Sequence, residues 1–212
     1  MIKTVVTRKE IEVQFGQAAD LGQLMKALEQ EFSKKGQVIC QFKLNGMSLT
    51  EADEHRLANI GLGEVEIIEI DSESPDALMF GLLDNWTLEL PKLIENAEAL
   101  AKSIKFEGIE GKLKAFVELL DTCQFLMDSL MSLERVVSDF QSRQIQSPIG
   151  LEPWLMAEKV TADAIGEALK AFEKKDFVLL AEVLEYDLPH SLQVWLDQIL
   201  QLNYSLRAES QK

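Results

Sequence analysis

Histidine and cysteine are the side chains that most often carry catalysis or bind metals, and this chain has two of each. His55 lies in the charged stretch EADEHRL, and His190 follows Pro189 close to Glu182 and Glu185. A carboxylate–histidine site in a helical bundle repeats Glu-x-x-His on two helices, and the sequence contains no such motif. We therefore expect both histidines to be surface residues.

The cysteines show the spacing of neither a disulfide scaffold nor a zinc site. Cys40 and Cys123 lie far apart in apolar stretches, which predicts two buried thiols. The sequence also lacks the glycine-rich phosphate loops, the HExxH helix and the GxSxG elbow. These observations predict a protein that is not an enzyme, with no catalytic residue, cofactor or metal.

The chain is strongly acidic, with a formal net charge of −15 and a pI near 4.6. Such a surface repels nucleic-acid backbones and anionic lipid headgroups, so protein partners are favoured over both. The start of the chain has no signal-peptide pattern, and no window of about eighteen uninterrupted apolar residues occurs. We expect a cytoplasmic protein that binds neither nucleic acid nor membranes.

Residues 1–72 carry short β-rich segments around one helix. Apolar residues on both sides of the turn Thr7–Glu10 predict a hairpin whose second strand alternates Ile11, Val13 and Phe15 with polar residues. Asp20 is a suitable N-cap for a helix that ends near Gly36. A strand over Val38–Leu44, an Asn-Gly turn, an irregular excursion and a closing strand over Glu64–Ile70 complete the pattern.

Strand, strand, helix, strand, excursion, strand is the order of the β-grasp fold. Residues 1–71 resemble the ubiquitin-like family in this order, in length and in the apolar anchors around Leu57 and Ile60. The resemblance implies a β-grasp domain used for docking, because the last strand runs on into the helical region and does not end in a free Gly-Gly tail. Alternation along the strands places Lys43 and Glu66 outward, and these two and Ile68 are the partner-binding candidates of this domain.

Residues 76–212 read as helices, after the polar boundary DSESP. One helical region spans Asp76–Lys105 and is kinked or divided at Pro91, and a long helix ends near Phe140. A polar loop over Gln141–Glu152, a helix over Trp154–Lys174, and two helical pieces that meet at Leu188–Pro189 follow. The whole chain is thus expected to be an α+β protein, a β-grasp domain followed by an all-α antiparallel bundle.

Four large apolar side chains of the bundle are candidates for partner binding. Met127 and Met131 lie in MDSLMSLERVV, and Trp154 and Met156 lie in LEPWLMAEKV next to the long loop. Methionine and tryptophan suit adaptable grooves for amphipathic helices, and a tryptophan beside a loop is expected at a rim.

These features predict a non-catalytic adaptor that docks through its sheet and a bundle groove. Its partner would be a protein that offers an amphipathic helix or an added strand, and a homodimer is an open alternative. A second reading is an export-chaperone-like bundle that holds a secreted or flagellar subunit. A third, of another class, is a metal- or small-molecule-binding bundle enzyme, in which His190 would meet converging carboxylates.

Overall fold

The computed structural model describes residues 1–142 and 151–209 of the chain. Within these ranges, a four-stranded antiparallel sheet comes first and helices follow, so the predicted α+β class is confirmed. The contacts divide the chain into two compact units, Met1–Met79 and Phe80–Lys212. The predicted boundary stretch DSESP does not lie between elements, because Asp71–Glu73 belong to the last strand (Ile67–Glu73) and Pro75 begins the helix that follows (Pro75–Glu107). None of the helices in the described ranges is both long and apolar enough for a membrane span.

The first unit alternates short strands with short helices. In chain order its elements are β1 (Ile2–Thr7), α1 (Arg8–Gln14), α2 (Leu21–Lys34), β2 (Val38–Leu44), β3 (Met47–Ser48), α3 (Glu51–Leu57), a 3-10 turn (Leu62–Glu64) and β4 (Ile67–Glu73). The sheet order is β1-β4-β2-β3, so β1 forms one edge. Val6, Ile68 and Phe42 from three neighbouring strands pack against Leu24 and Leu28 of α2 in one apolar core.

The predicted N-terminal hairpin is wrong, because its second strand is the helix α1. The Glu10 carboxylate accepts hydrogen bonds from the Thr7 backbone N–H at 2.8 Å and from the Thr7 hydroxyl at 2.6 Å. This Thr-x-x-Glu arrangement is a capping box, and it starts a helix where a turn was expected. Ile11 is buried whereas Val13 is 77% exposed, so the apolar residues of this segment follow helical spacing.

Several local predictions for the first unit are confirmed. Asp20 caps α2 by accepting a hydrogen bond from the Gln23 N–H at 2.8 Å. β2 spans Val38–Leu44 as expected, and Asn45 and Gly46 form its turn with positive φ values of 49° and 83°. Glycine and asparagine tolerate this left-handed backbone, which the tight connection to β3 requires. The closing strand exists, but it spans Ile67–Glu73 and not Glu64–Ile70.

The second unit is built from long helices. They are α4 (Pro75–Glu107, whose first residues belong to the first unit), α5 (Leu113–Ser142), α6 (Leu151–Glu173), α7 (Phe177–Glu182) and α8 (Leu188–Glu209). Pro91 lies inside α4, which remains one helix and is not divided. Of the predicted loop Gln141–Glu152, residues 143–150 lie outside the described residues.

Buried side chains of these helices recur at alternating intervals of three and four residues. The pattern is clearest in α5, through Phe116, Leu119, Cys123, Leu126, Leu130 and Leu133, and in α6, through Trp154, Ala157, Thr161, Ala164, Ala168 and Ala171. This spacing keeps one narrow face of each helix turned to its neighbours, as in four-helix bundles. The buried positions of α5 and α6 therefore repeat every seven residues.

Contacts between neighbouring helices define an antiparallel ring. Trp86 of α4 lies 5.7 Å from Phe125 of α5 between ring centroids. Phe116 of α5 lies 5.1 Å from Phe172 of α6, and α6 in turn packs on α8 through a further aromatic pair. The ring closes where Arg207 of α8 donates to the Asp84 carboxylate of α4 at 2.7 and 2.8 Å.

A π-helical segment, Val183–Asp187, joins α7 to α8. Pro189 follows in the first turn of α8 and lacks the N–H that a regular helix would use. The wider π turn is a common way to absorb such an interruption. The two predicted pieces are therefore one helical run, in which the irregularity precedes Leu188–Pro189 instead of forming a break there.

Candidate functional site

Two of the predicted bundle candidates fill the core and do not reach the surface. Trp154 is 1% exposed and meets Trp195 edge to face, with 4.7 Å between ring centroids. Met127 is 9% exposed. The prediction that Trp154 lies at a rim is wrong, because position 154 continues the buried three-and-four spacing of α6 at its N-terminal end.

The other two bundle candidates, Met131 and Met156, are exposed but lie on different faces. Met131 is on the side of α5 that turns toward α6. It lies two heptads after Val117, which is adjacent to Phe116, and Phe116 contacts Phe172 of α6. Met156 is two residues after the buried Trp154, which turns it away from α5. The structure therefore does not bring the four candidates together as one site.

The candidates of the first unit are also scattered. The Lys43 ammonium lies 3.4 Å from the Asp71 carboxylate on the outer face of the sheet. Glu66 is exposed before β4 begins, and its backbone N–H donates to the Asn45 side-chain oxygen at 3.0 Å. Ile68 is 1% exposed and belongs to the core between sheet and helix, so its choice as a partner-binding candidate is wrong.

An exposed apolar stripe follows the outer seam between α5 and α6. It consists of Leu113, Val117 and Met131 on α5 and Leu155 and Leu169 on α6, whose exposed fractions range from 42 to 57%. The row on α5 is interrupted, because the exposed Gln124 lies one heptad after Val117 and one heptad before Met131. Scattered single apolar side chains are normal on a protein surface, whereas several along one seam favour a contact region there. We refer to these five side chains as the apolar stripe.

Helix geometry places the five side chains along the two sides of the same seam. α5 and α6 run antiparallel with Phe116 level with Phe172, so Val117 lies near the level of Leu169, and Met131 near that of Leu155. Val117 to Met131 and Leu155 to Leu169 are each two heptads apart. Each helix therefore presents two of these side chains about 21 Å apart, at 1.5 Å per residue, with Gln124 midway on α5 and Ala162 midway on α6.

Half-buried side chains fill the floor of the seam, and charged groups border it. Leu120, Ile165 and Glu158 are partly exposed between the two helices. Asp121 and Asp128 lie exposed along the outer side of α5. The outer side of α6 carries both signs, with Glu152, Lys159, Lys170 and Glu173.

The seam between α4 and α5 has a different character. Its cavity of about 720 Å³ has an apolar floor that includes Trp86 and Leu93. The rim is mainly polar and its charges are largely compensated, because Lys92 pairs with Glu89 at 2.8 Å and Lys112 with Glu107 at 2.6 Å. Phe125, which is 61% exposed, also lines this cavity.

The cysteines and the groups with shifted pKa values are spread over both units of the part of the chain that the structure describes. Burial raises the pKa of the Cys123 thiol to about 12, which leaves it protonated and unreactive at neutral pH. Cys40 is exposed at a bulge in β2, where the predicted burial is wrong. Lys105 donates to the Glu185 carboxylate, which raises the pKa of the ammonium. Among the described side chains, no three His, Cys, Asp or Glu residues converge to bind a metal.

The first unit has a second feature, a cavity of about 460 Å³ beside the edge strand β1. Thr4 and Val6 of the strand form one wall, and Phe15, Leu28 and Phe32 from the helical side form the other. Neither the α1 helix nor this cavity was predicted. The Thr-x-x-Glu signal at Thr7 is the sequence feature that could have indicated the helix.

Comparison with known proteins finds one similarity, in the first unit. Residues 3–74 match the family model described as the TP0873 N-terminal domain. No curated protein and no solved structure matches the chain. The matched range coincides with the small sheet unit from β1 to β4, and a ubiquitin-like identity of this unit is not confirmed.

Proposed function

We propose that this protein is a non-catalytic protein-binding module whose bundle binds an amphipathic helix of a partner along the apolar stripe. The observation that carries the proposal is the set of five exposed apolar side chains along the α5–α6 seam. An amphipathic helix presents apolar side chains at the same three-and-four spacing, so its face fits into a seam between two helices. A fifth helix there would cover the stripe as the other helices cover the core.

The charges of the module favour a basic partner helix. The formal net charge of −15 attracts cationic segments at a distance, and Asp121 and Asp128 offer carboxylates to lysine or arginine beside the apolar face. A second copy of this chain would bring the same net charge of −15 to the contact. Repulsion between the copies therefore disfavours a homodimer through this face.

Two synthetic helical peptides test the proposal with the full chain. Each has about 18 residues, enough to cover the stripe, with leucines at helical spacing. One carries lysines beside the leucines and the other carries glutamates. We expect the lysine peptide to bind with an affinity that falls as salt concentration rises, and the glutamate peptide to bind more than tenfold more weakly.

A matched pair of variants separates apolar contact from general charge attraction. Leu169→Glu places a carboxylate in the stripe, and Leu88→Glu places the same charge at a 66% exposed position on α4. Both changes strengthen the overall attraction for the lysine peptide. We expect only Leu169→Glu to weaken binding, by about tenfold or more, since burial of a leucine side chain contributes about 1.5–3 kcal/mol. Equal affinities for the two variants would disprove binding at the stripe.

A further inference from the structure

The edge strand β1 has main-chain groups that pair with no other described residue, and a cavity lies beside the strand. In the ladder between β1 and β4, Thr4 is opposite Ile70 and Val6 is opposite Ile68. Beyond the strand, the Arg8 N–H donates to the Glu66 carbonyl at 2.9 Å. Antiparallel ladders alternate, so this bond indicates which residues of β1 point their N–H and C=O groups toward β4.

The alternation directs the main-chain groups of Thr4 and Val6 toward β4, and those of Lys3 and Val5 away from it. An independent contact agrees, because the Thr7 N–H belongs to the outward set and donates to the Glu10 carboxylate, outside the sheet. The outward N–H at the end of the strand, that of Thr7, is thus already bonded to the Glu10 carboxylate. Lys3 and Val5 offer two N–H and two C=O groups at the edge of the sheet.

The cavity lies on the side of β1 to which Thr4 and Val6 point. Its other wall is apolar, through Phe15, Leu28 and Phe32. At its rim the Lys35 ammonium is paired with the Glu31 carboxylate at 2.5 Å. A strand added to β1 would place the side chain opposite Thr4 into this cavity, since side chains of paired residues lie on the same face.

We propose that β1 binds an extended segment of another protein by strand addition, with an apolar side chain in the cavity. The segment pairs with Lys3 and Val5 through four main-chain hydrogen bonds and places a β-branched residue beside Val5 on the outer face. The paired region is about three residues long, because α1 begins at Arg8 and ends the edge. This site is on the first unit and does not depend on the helix-binding site of the bundle.

An extended segment fits the edge better than the alternatives. A helix uses its own main-chain groups internally and cannot pair with Lys3 and Val5. A second copy of β1 could pair across a two-fold axis at Thr4, but each copy carries a formal net charge of −15 and the contact would be small.

Amide hydrogen exchange of the full chain, followed by NMR, tests the geometry of the edge. In the free protein, the amides of Lys3 and Val5 should exchange quickly and those of Thr4 and Val6 slowly. A displayed library of random 12-residue peptides is then selected on the full chain. The proposal expects enriched peptides with apolar and polar residues in alternation, and slowed exchange at Lys3 and Val5 when such a peptide binds.

Proline variants at the edge provide the decisive comparison. Val5→Pro and Lys3→Pro each remove an outward N–H and leave the bonds to β4 intact, so both variants should fold. Each should lower the affinity for the selected peptide about fivefold to tenfold, which is the effect of one main-chain hydrogen bond. The control Val5→Thr should bind the peptide with unchanged affinity.

Several results would overturn strand addition at β1. They are unfolding of both proline variants, equal peptide binding by Val5→Pro and Val5→Thr, failure of the selection to enrich alternating peptides, and a stable homodimer that closes the edge. Light scattering of the full chain measures the last of these.

Discussion

Replacement of Trp154 by alanine tests whether this side chain lies in the bundle core, as the structure shows, or at a surface rim, as the sequence predicted. Trp154 is 1% exposed, so the substitution removes almost a whole indole ring from the interior. A buried tryptophan covers about 200 Å², which corresponds to about 5 kcal/mol at 25 cal/mol per Å². Measured losses for such substitutions are about 3–5 kcal/mol. We expect Trp154→Ala to lower the free energy of unfolding by that amount.

Part of the loss should belong to the contact with Trp195. The two rings meet edge to face at 4.7 Å, a geometry that contributes about 0.5–1.5 kcal/mol beyond area burial. A double-mutant cycle with Trp195→Ala measures this coupling. The single and double variants need a common signal that neither substitution removes, and far-UV circular dichroism during urea unfolding provides it.

Leu155→Ala is the matched control, because its side chain is adjacent in the chain and 44% exposed. It should lower the free energy of unfolding by less than about 1 kcal/mol. All three tryptophans lie in the second unit, so fluorescence of Trp86 reports on that unit in every variant of the cycle. A loss below about 1 kcal/mol for Trp154→Ala, or a coupling near zero, would refute the packing described for α6 and α8.

Three further predictions follow from local contacts. Under native conditions a thiol reagent should modify the exposed Cys40, and the buried Cys123 should react only in denaturant, as mass spectrometry would show; rapid reaction of both thiols would contradict the burial. Asn45→Ala should lower the stability of the first unit by about 2–4 kcal/mol, measured by thermal unfolding, because the Asn45 amide makes three hydrogen bonds to backbone groups of residues 64–67; an unchanged midpoint would exclude this role. Hydrogen bonds from Thr7 lower the pKa of Glu10, so its stabilising effect is present above its ordinary pKa and is lost as pH falls through the lowered value. Glu10→Gln should therefore reduce the acid dependence of unfolding, and an identical acid profile would count against the capping box.

Local signals explain which elements could be predicted. The Asp20 cap, the helix that follows it, the strand Val38–Leu44 and the Asn-Gly turn all depend on interactions between residues close in the chain. The hairpin prediction was wrong because the spacing of its apolar residues fits two structures. Ile11 and Phe15 are four residues apart, as on one face of a helix, and they are also members of an alternating series, as in a strand. The capping box at Thr7 and Glu10 resolves the ambiguity in favour of a helix, and that signal is also local.

Surface exposure could not be predicted in the same way. α5 carries apolar side chains on two sides, in one row through Cys123 and Leu126 and in a second row, interrupted by Gln124, with Val117 and Met131. Only the first row is covered by the other helices. The edge position of β1 likewise follows from its pairing with β4, which is more than sixty residues away in the chain.

The sequence by itself determined the ends of those helices and strands that are marked by a capping residue or a tight turn. It also determined that the protein is acidic and belongs to the α+β class. It did so because caps, turns and apolar periods act between near neighbours. Only the tertiary structure decided that Trp154 is core, that Met131 is surface, and that β1 is an edge. Burial depends on which distant segments pack on a residue, and one chain offers more apolar rows than its core can cover.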